Sequence, residues 1–301
     1  MKRGANAQSP SPQPGRFSGK VALVTGASER GIGGAIAERL AREGARLALV
    51  SRNEPKRLLD RLARMGAEAL WRPCDVSRQK QVDEAFAVWD HEFDKIDVVV
   101  NNAGIEVSQS FESLSDKDWD EIVAINLTGA MRVTRAALAR MPASGGAIVN
   151  IASALALGGC SQFAAYSAAK AGMIGMTQAL AAELAPRGIR AVAIAPAMVI
   201  TPMTFKHIAR LKSTARDAID SANPLGPGSP HDVAAAVAFL ASDEARWITG
   251  VTLPMGWAPT YWLPMALYSA EESIVRDPPH PAPRAPARTR SRKLANKVSR
   301  R

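Results

Sequence analysis

The stretch that most constrains this chain is the run Lys20-Val21-Ala22-Leu23-Val24-Thr25 and the turn that follows it, Gly26-Ala27-Ser28-Glu29-Arg30-Gly31-Ile32-Gly33. The run is apolar without polar alternation, as in a strand covered on both faces of a parallel sheet. A helical pattern then continues through Ala35, Ile36, Leu40 and Ala41 to Gly44. Strand, glycine-rich turn and helix together form the context in which glycines serve a dinucleotide. They permit a tight turn, let backbone approach a pyrophosphate, and bring a helix N-terminus onto the anion.

The remainder repeats the alternation. Apolar runs at Arg46–Val50, Ala67–Arg72, Ile96–Val100, Ala147–Ile151, Arg190–Ile194 and Gly250–Leu253 read as strands. Between them, helical patterns span Pro55–Met65, Gln79–Phe93, Asp116–Arg140, the Tyr166 segment and Pro230–Ala241, with a mostly helical insertion over Thr201–Ser221. Such alternation predicts right-handed βαβ units and an α/β, doubly wound parallel sheet of the Rossmann type. Ligands of these sheets lie across the carboxyl ends of the strands. Gly26, Arg52, Asp75, Asn101, Ser153 and Pro196 each fall just past such an end. The segment after the second strand has Arg52 and no adjacent acid, and Arg30 sits in the glycine turn. Arginines there suit the 2′-phosphate of NADP(H) rather than the free 2′-hydroxyl of NAD(H).

Tyr166-Ser167-Ala168-Ala169-Lys170 puts a phenol and an ammonium one helical turn apart on one face. A fixed cation favours the phenolate and lowers a value normally near ~10 toward the working range. Tyr166 could then give a proton to a carbonyl or take one from an alcohol. Asn126 is a poor helix former inside a long helical pattern.

Composition bounds the classes. With 301 residues and 47% hydrophobic content the chain can bury a sizeable core as one domain. Its two cysteines, Cys74 and Cys160, make no framework and carry no metal-ligand pattern, so no metal is expected. The first residues lack an apolar signal region and no run reaches a membrane span, which predicts a cytoplasmic protein. The net charge of +10 would suggest nucleic acid, but nine basic residues against Asp277 lie in 276–301 and three more in 1–16. The span between is close to neutral. The expected layout is a disordered leader (1–16), a catalytic domain (17–256), an aromatic-rich extension (257–275) and a disordered Pro/Arg-rich basic tail (276–301).

These motifs, in this order, resemble the short-chain dehydrogenase/reductase family over roughly residues 17–256, with 3-oxoacyl-(acyl-carrier-protein) reductases among the nearest in pattern. The resemblance implies a cofactor loop from Thr25-Gly26 to Gly31-Ile32-Gly33 with Ser28 and Arg30 in it, an adenine contact at Asp75-Val76, and a sheet-supporting motif at Asn101-Asn102-Ala103-Gly104, of which Asn102, Ala103 and Gly104 also meet the cofactor. It implies cofactor contacts at Arg52, Pro196 and Thr201, and a catalytic set of Asn126, Ser153, Tyr166 and Lys170. In that set Tyr166 is the general acid/base, while Lys170 lowers its pKa and holds the nicotinamide ribose. Ser153 hydrogen-bonds the substrate oxygen, and Asn126 fixes a water linking Lys170 to solvent.

Three positions depart from the pattern. The glycine loop has one residue more than usual between Gly26 and Gly31. Ala197 stands where a glycine is usual after Pro196, and an alanine avoids positive φ, so the nicotinamide loop is expected to shift. Met255-Gly256-Trp257 replaces the usual Asp-Gly-Gly. The loops after residues 104, 153 and 196 carry Val107, Phe111, Leu155, Leu157, Met198, Met203 and Phe205 and few charges, which fits an uncharged, medium-sized carbonyl compound. The leading expectation is a hydride-transferring enzyme for carbonyl or secondary-alcohol substrates, a homotetramer or homodimer by the resemblance. The alternative is a dinucleotide-binding scaffold without turnover. The basic tail leaves an acidic carrier protein or nucleic acid open as a partner.

Overall fold

A computed structural model describes residues 15–204, 223 and 225–256. The leader up to residue 14, nearly all of the helical insertion with Phe205, the aromatic extension and the basic tail lie outside these residues.

The expected sheet is present. Its strands are β1 (Val21–Thr25), β2 (Arg46–Ser51), β3 (Ala69–Pro73), β4 (Val98–Asn101), β5 (Gly146–Ile151), β6 (Ile189–Pro196) and β7 (Thr252–Met255). They pair in parallel in the order β3-β2-β1-β4-β5-β6-β7. The helices are α1 (Ile32–Arg42), α2 (Lys56–Arg64), α3 (Gln79–Trp89), α4 (Asp116–Val123), α5 (Gly129–Leu138), α6 (Leu155–Gly158), α7 (Ala164–Leu184) and α8 (Pro230–Ala241).

Successive strand residues point to opposite faces, and each face has its own core. Ala22 and Val24 of β1 pack with Ile36 and Leu40 of α1, Leu58 of α2 and Val237 of α8. Val21 and Leu23 face the other layer, with Phe86 and Trp89 of α3, Val133 of α5 and Leu184 of α7. This is why the strands read as continuous apolar runs: neither face is wet. Strand order reverses between β1 and β4, so the loops leaving those strands diverge to opposite faces and open a crevice at their carboxyl ends.

A buried polar chain locks α7 to the sheet. Asn101 Nδ2 donates to Asn150 Oδ1 and to Thr134 Oγ1, both at 2.8 Å. Asn150 Nδ2 donates to Thr177 Oγ1 at 2.8 Å, and Thr177 Oγ1 to Met173 O at 2.7 Å. Hydrogen bonds of this kind are costly to break one partner at a time, because the other is left unsatisfied in the core. The chain therefore holds the rotation and register of the helix bearing Tyr166 and Lys170.

Two expectations are refined. The helical pattern over Asp116–Arg140 is present as one continuous run from α4 to α5, widened by a π-turn at Ala124–Thr128 between them. Its cause is Asn126, whose Nδ2 donates to Ile122 O at 2.9 Å and reaches out to Ile105 O at 3.0 Å. Ala197 shifts nothing by strain, for Gln162 alone among the described non-glycine residues has positive φ. The Ala197 N–H donates to Met255 O at 2.9 Å, so ordinary backbone fits that turn. At the other end, Arg16 is part of the folded unit: its guanidinium grips the fully buried Glu43 carboxylate at 2.6 and 2.9 Å.

Candidate active site

The carboxyl ends of the strands enclose a cavity of about 1520 Å³. Every site residue expected from the sequence lines it: Gly26, Ser28, Arg30, Gly31, Ile32, Gly33, Arg52, Asp75, Val76, Asn102, Ala103, Gly104, Asn126, Ser153, Tyr166, Lys170, Pro196 and Thr201.

One end is made by the glycine loop. Gly26 has φ +69°, and a Cβ there would lie 2.8 Å from Ala103 Cα and from Asn102 Nδ2. A Cβ on Gly33 would lie 2.5 Å from the same Asn102 amide and collide with Gly26 O. Asn102 is the fastener, with Nδ2 donating to Thr25 O at 2.9 Å and to Gly26 O at 3.2 Å. Thr25 Oγ1 accepts from the N–H groups of Asn102 and Ala103, both at 2.9 Å. The N-cap of α1 is Gly31, with no side-chain cap and no acid in the first turn. Its N–H groups and positive dipole end are left for an anion. From α2, Arg61 braces this loop, donating to Glu29 O at 2.8 Å and to Glu38 Oε1 of α1 at 2.6 Å.

Arg30 and Arg52 are exposed at this end. Two carboxylates that sequence reasoning passed over, Glu29 and Glu54, line the same end. Glu29 Oε1 accepts from Arg57 N at 3.3 Å, and Glu54 lies 3.9 Å from Lys56 Nζ. At Asp75, partial burial pushes the carboxyl up, but hydrogen bonds from Ser77 and the charges of Arg52 and Arg78 outweigh it and hold the value below the ordinary range.

The other end holds the titrating side chains. Lys170 is 3% exposed and donates to Ile151 O at 2.6 Å. Burial lowers its ammonium to about 8. Its Nζ lies 5.7 Å from the Tyr166 ring centroid. The expectation that Lys170 lowers the Tyr166 value is corrected here. Enclosure pushes the phenol up, the Glu106 charge adds to this, and the hydrogen bond with Ser153 only opposes them. Desolvation disfavours the charged form of both groups at once, so the cation that should favour a phenolate is itself weakened. Buried Ser153 also accepts from Leu155 N at 3.2 Å, which orients its hydroxyl.

Asn126 is fully buried, and its Oδ1 has no hydrogen-bond partner. A Cβ on Gly104 would lie 2.5 Å from that oxygen and 3.6 Å from Lys170 Nζ. The glycine therefore leaves open the space between the two.

Val107, Leu155, Met198 and Met203 line the cavity as expected, whereas Phe111 is 72% exposed and, like Leu157, is not part of its wall. Sequence reasoning missed Glu106 and Gln162 in the wall. The signal for Glu106 was present: it is the sole acid between Asn101 and Phe111. Among the described residues no cluster of potential ligands could hold a metal, and no helix is long and apolar enough to cross a membrane.

A glycine-loop end shaped for a dinucleotide, joined to a Ser–Tyr–Lys end suited to proton transfer at an oxygen, defines a nucleotide-dependent oxidoreductase. Comparison with known proteins agrees. Residues 26–255 match the family model described as enoyl-(acyl carrier protein) reductase. A 3beta-hydroxysteroid dehydrogenase of Mediterraneibacter gnavus is 37% identical over 257 residues, covering 78% of this chain and 93% of its own. A 3-oxoacyl-(acyl-carrier-protein) reductase of Escherichia coli strain K12 is 40% identical over 241 residues, covering 79% and 96%. The crystal structure of a levodione reductase superposes with a TM-score of 0.73 at 34% identity, covering 80% of this chain and 97% of that one. The chain belongs to the short-chain dehydrogenase/reductase family and is an oxidoreductase acting on CH–OH donors.

Proposed function

We propose that the protein is an NADP(H)-dependent reductase or dehydrogenase interconverting a carbonyl compound and a secondary alcohol, with Tyr166 as the general acid/base. The observation that carries this reading is the convergence of Ser153, Tyr166 and Lys170 in a cavity whose other end is a glycine cradle with no room for side chains on Gly26 or Gly33.

The glycine cradle fits a dinucleotide pyrophosphate, since any side chain on Gly26 or Gly33 would fill it. Arg30 and Arg52 would hold the 2′-phosphate, Asp75 and Val76 the adenine, and Lys170, Asn102, Pro196 and Thr201 the nicotinamide side. The bound nicotinamide would supply or accept the hydride. The chain's own part is the oxygen. Ser153 and Tyr166 donate to it as charge develops, which two aligned donors in a partly dry site stabilise strongly. In reduction the Tyr166 hydroxyl gives its proton to that oxygen, and the raised phenol value keeps this acid form populated at neutral pH. The phenolate left on Tyr166 is stabilised by the Lys170 ammonium beside it, which can return a proton and be recharged from solvent. The unpartnered Asn126 oxygen and the gap beside Gly104 suit one water, which would link Lys170 toward solvent.

The same reading places the enzyme in the cytoplasm as a homotetramer or homodimer. A scaffold without turnover is the less favoured alternative, because the relatives above are all named as dehydrogenases or reductases. The test is consumption of NADPH, with NADH in parallel, on an acetoacetyl thioester and a ketone panel, using wild type and Tyr166→Phe. NADPH-dependent turnover that collapses in the variant supports the reading; failure to bind either nucleotide overturns it.

A further inference from the structure

The strand order leaves β3 at one edge of the sheet, paired with β2. Their register sets Trp71 opposite Leu49, so Trp71 and Ser51 share one face of the sheet on a diagonal. An aromatic side chain can span that diagonal. Here it does: Trp71 Nε1 donates to Ser51 Oγ at 2.8 Å. The half-buried indole is seated on the core that β1 and β2 share with α1 and α2. An indole nitrogen only donates, so the Ser51 hydroxyl accepts from it and keeps its own proton for another acceptor. That acceptor is Asn53 O, at 2.8 Å. The Ser51 carbonyl is held as well, accepting from Cys74 N at 3.0 Å.

Arg52 is the residue enclosed by this Ser51–Asn53 turn. It is exposed and lines the cavity, and its charge reaches the Asp75 carboxyl at the same end. Trp71 is not part of the cavity wall; its indole stands behind the turn. A guanidinium grips phosphate best in a fixed, forked geometry. An exposed loop that had to be ordered on binding would give back part of that grip. The relay from Trp71 through Ser51 to Asn53 O orders the turn beforehand.

We propose that Trp71 is a positioning residue for the cofactor: through the Ser51 hydroxyl it fixes the turn that presents Arg52, and so sharpens the choice of a 2′-phosphate over a 2′-hydroxyl. This rests on the NADP(H) reading of the cavity and deepens it. To Arg52 it adds a residue on the neighbouring strand that no motif singles out.

The first test needs no nucleotide. Full-length protein is digested briefly with trypsin under native conditions. Mass spectrometry reads cleavage after Arg52 against cleavage after the exposed Arg187 that precedes β6. Trp71→Phe keeps an aromatic ring and removes the donor, while Ser51→Ala removes the hydroxyl. Each should raise the Arg52-to-Arg187 cleavage ratio about threefold or more, and the double variant should add little to either. Ser51→Thr, which keeps the hydroxyl, should stay near wild type. The Arg187 reference cancels a general loss of stability. An unchanged ratio in Trp71→Phe, or no cleavage after Arg52 in any variant, overturns the proposal.

The second test measures Kd for NADPH and for NADH by fluorescence titration. Trp71→Phe should reduce the preference for NADPH about threefold or more. In an Arg52→Ala background the same substitution should leave the preference unmoved, because the indole acts only through that guanidinium. Equal losses for both nucleotides, or an effect that persists without Arg52, overturn the proposal. If wild type shows no preference for NADPH, that result counts against the NADP(H) reading alone, and the cleavage ratio still decides the relay.

Discussion

The two ends of the cavity are built on opposite principles. At the glycine-loop end the working parts are main-chain groups and missing side chains, clamped by Asn102 and Thr25 and braced from α2 by Arg61. At the other end they are side chains, two of them titratable and each perturbed by its own burial. An anion cradle of backbone depends on the room left by absent side chains and on where the N–H groups point. Proton transfer needs particular atoms in a particular dielectric.

The sharpest way to break this contrast is Tyr166→Phe. Loss of the proton donor should lower kcat by about 10²–10⁴-fold while NADPH affinity, measured by fluorescence titration, changes little. A large affinity loss would mean the two ends are not separable. Gly33→Ala should do the reverse. Its Cβ would overlap Gly26 O and the Asn102 amide, costing about 1–3 kcal/mol of stability by overpacking. Nucleotide affinity should fall with it, and thermal unfolding with and without NADPH reads both effects.

The pH profile sharpens the comparison at the titrating end. Burial depresses Lys170, so its charge is present below about 8 and is lost as pH rises through that value. The Tyr166 phenol is raised and stays protonated over the same range. Reductive turnover should therefore hold level from weakly acid to neutral pH and decline above about 8. A profile still level a unit higher would sink the idea that the Lys170 ammonium is needed. The smallest effect belongs to the exposed Arg52. Arg52→Ala should weaken NADPH binding about tenfold, some 1.4 kcal/mol, and NADH binding much less; equal losses for both nucleotides would remove Arg52 from 2′-phosphate recognition.

Much of this architecture was legible before folding. Apolar runs such as Lys20–Thr25 and Ala147–Ile151 announce strands covered on both faces, and the residues just past them converge on one cavity. The π-turn at Asn126 was not legible, because it goes with a hydrogen bond to Ile105, in a loop distant along the chain. Nor were the ties from Asn101 through Asn150 to Thr177, whose members lie far apart in sequence.

The order of residues was thus enough to specify a parallel sheet, a phosphate-ready glycine turn and a Tyr–Lys pair on one helical face, since each follows from local periodicity and backbone freedom. Packing decided the electrostatics. Whether the Tyr166 phenol is raised or lowered and whether Asn126 keeps an unpaired oxygen both depend on which groups lose water together. Desolvation is a property of the assembled surroundings, and no stretch of chain carries it alone.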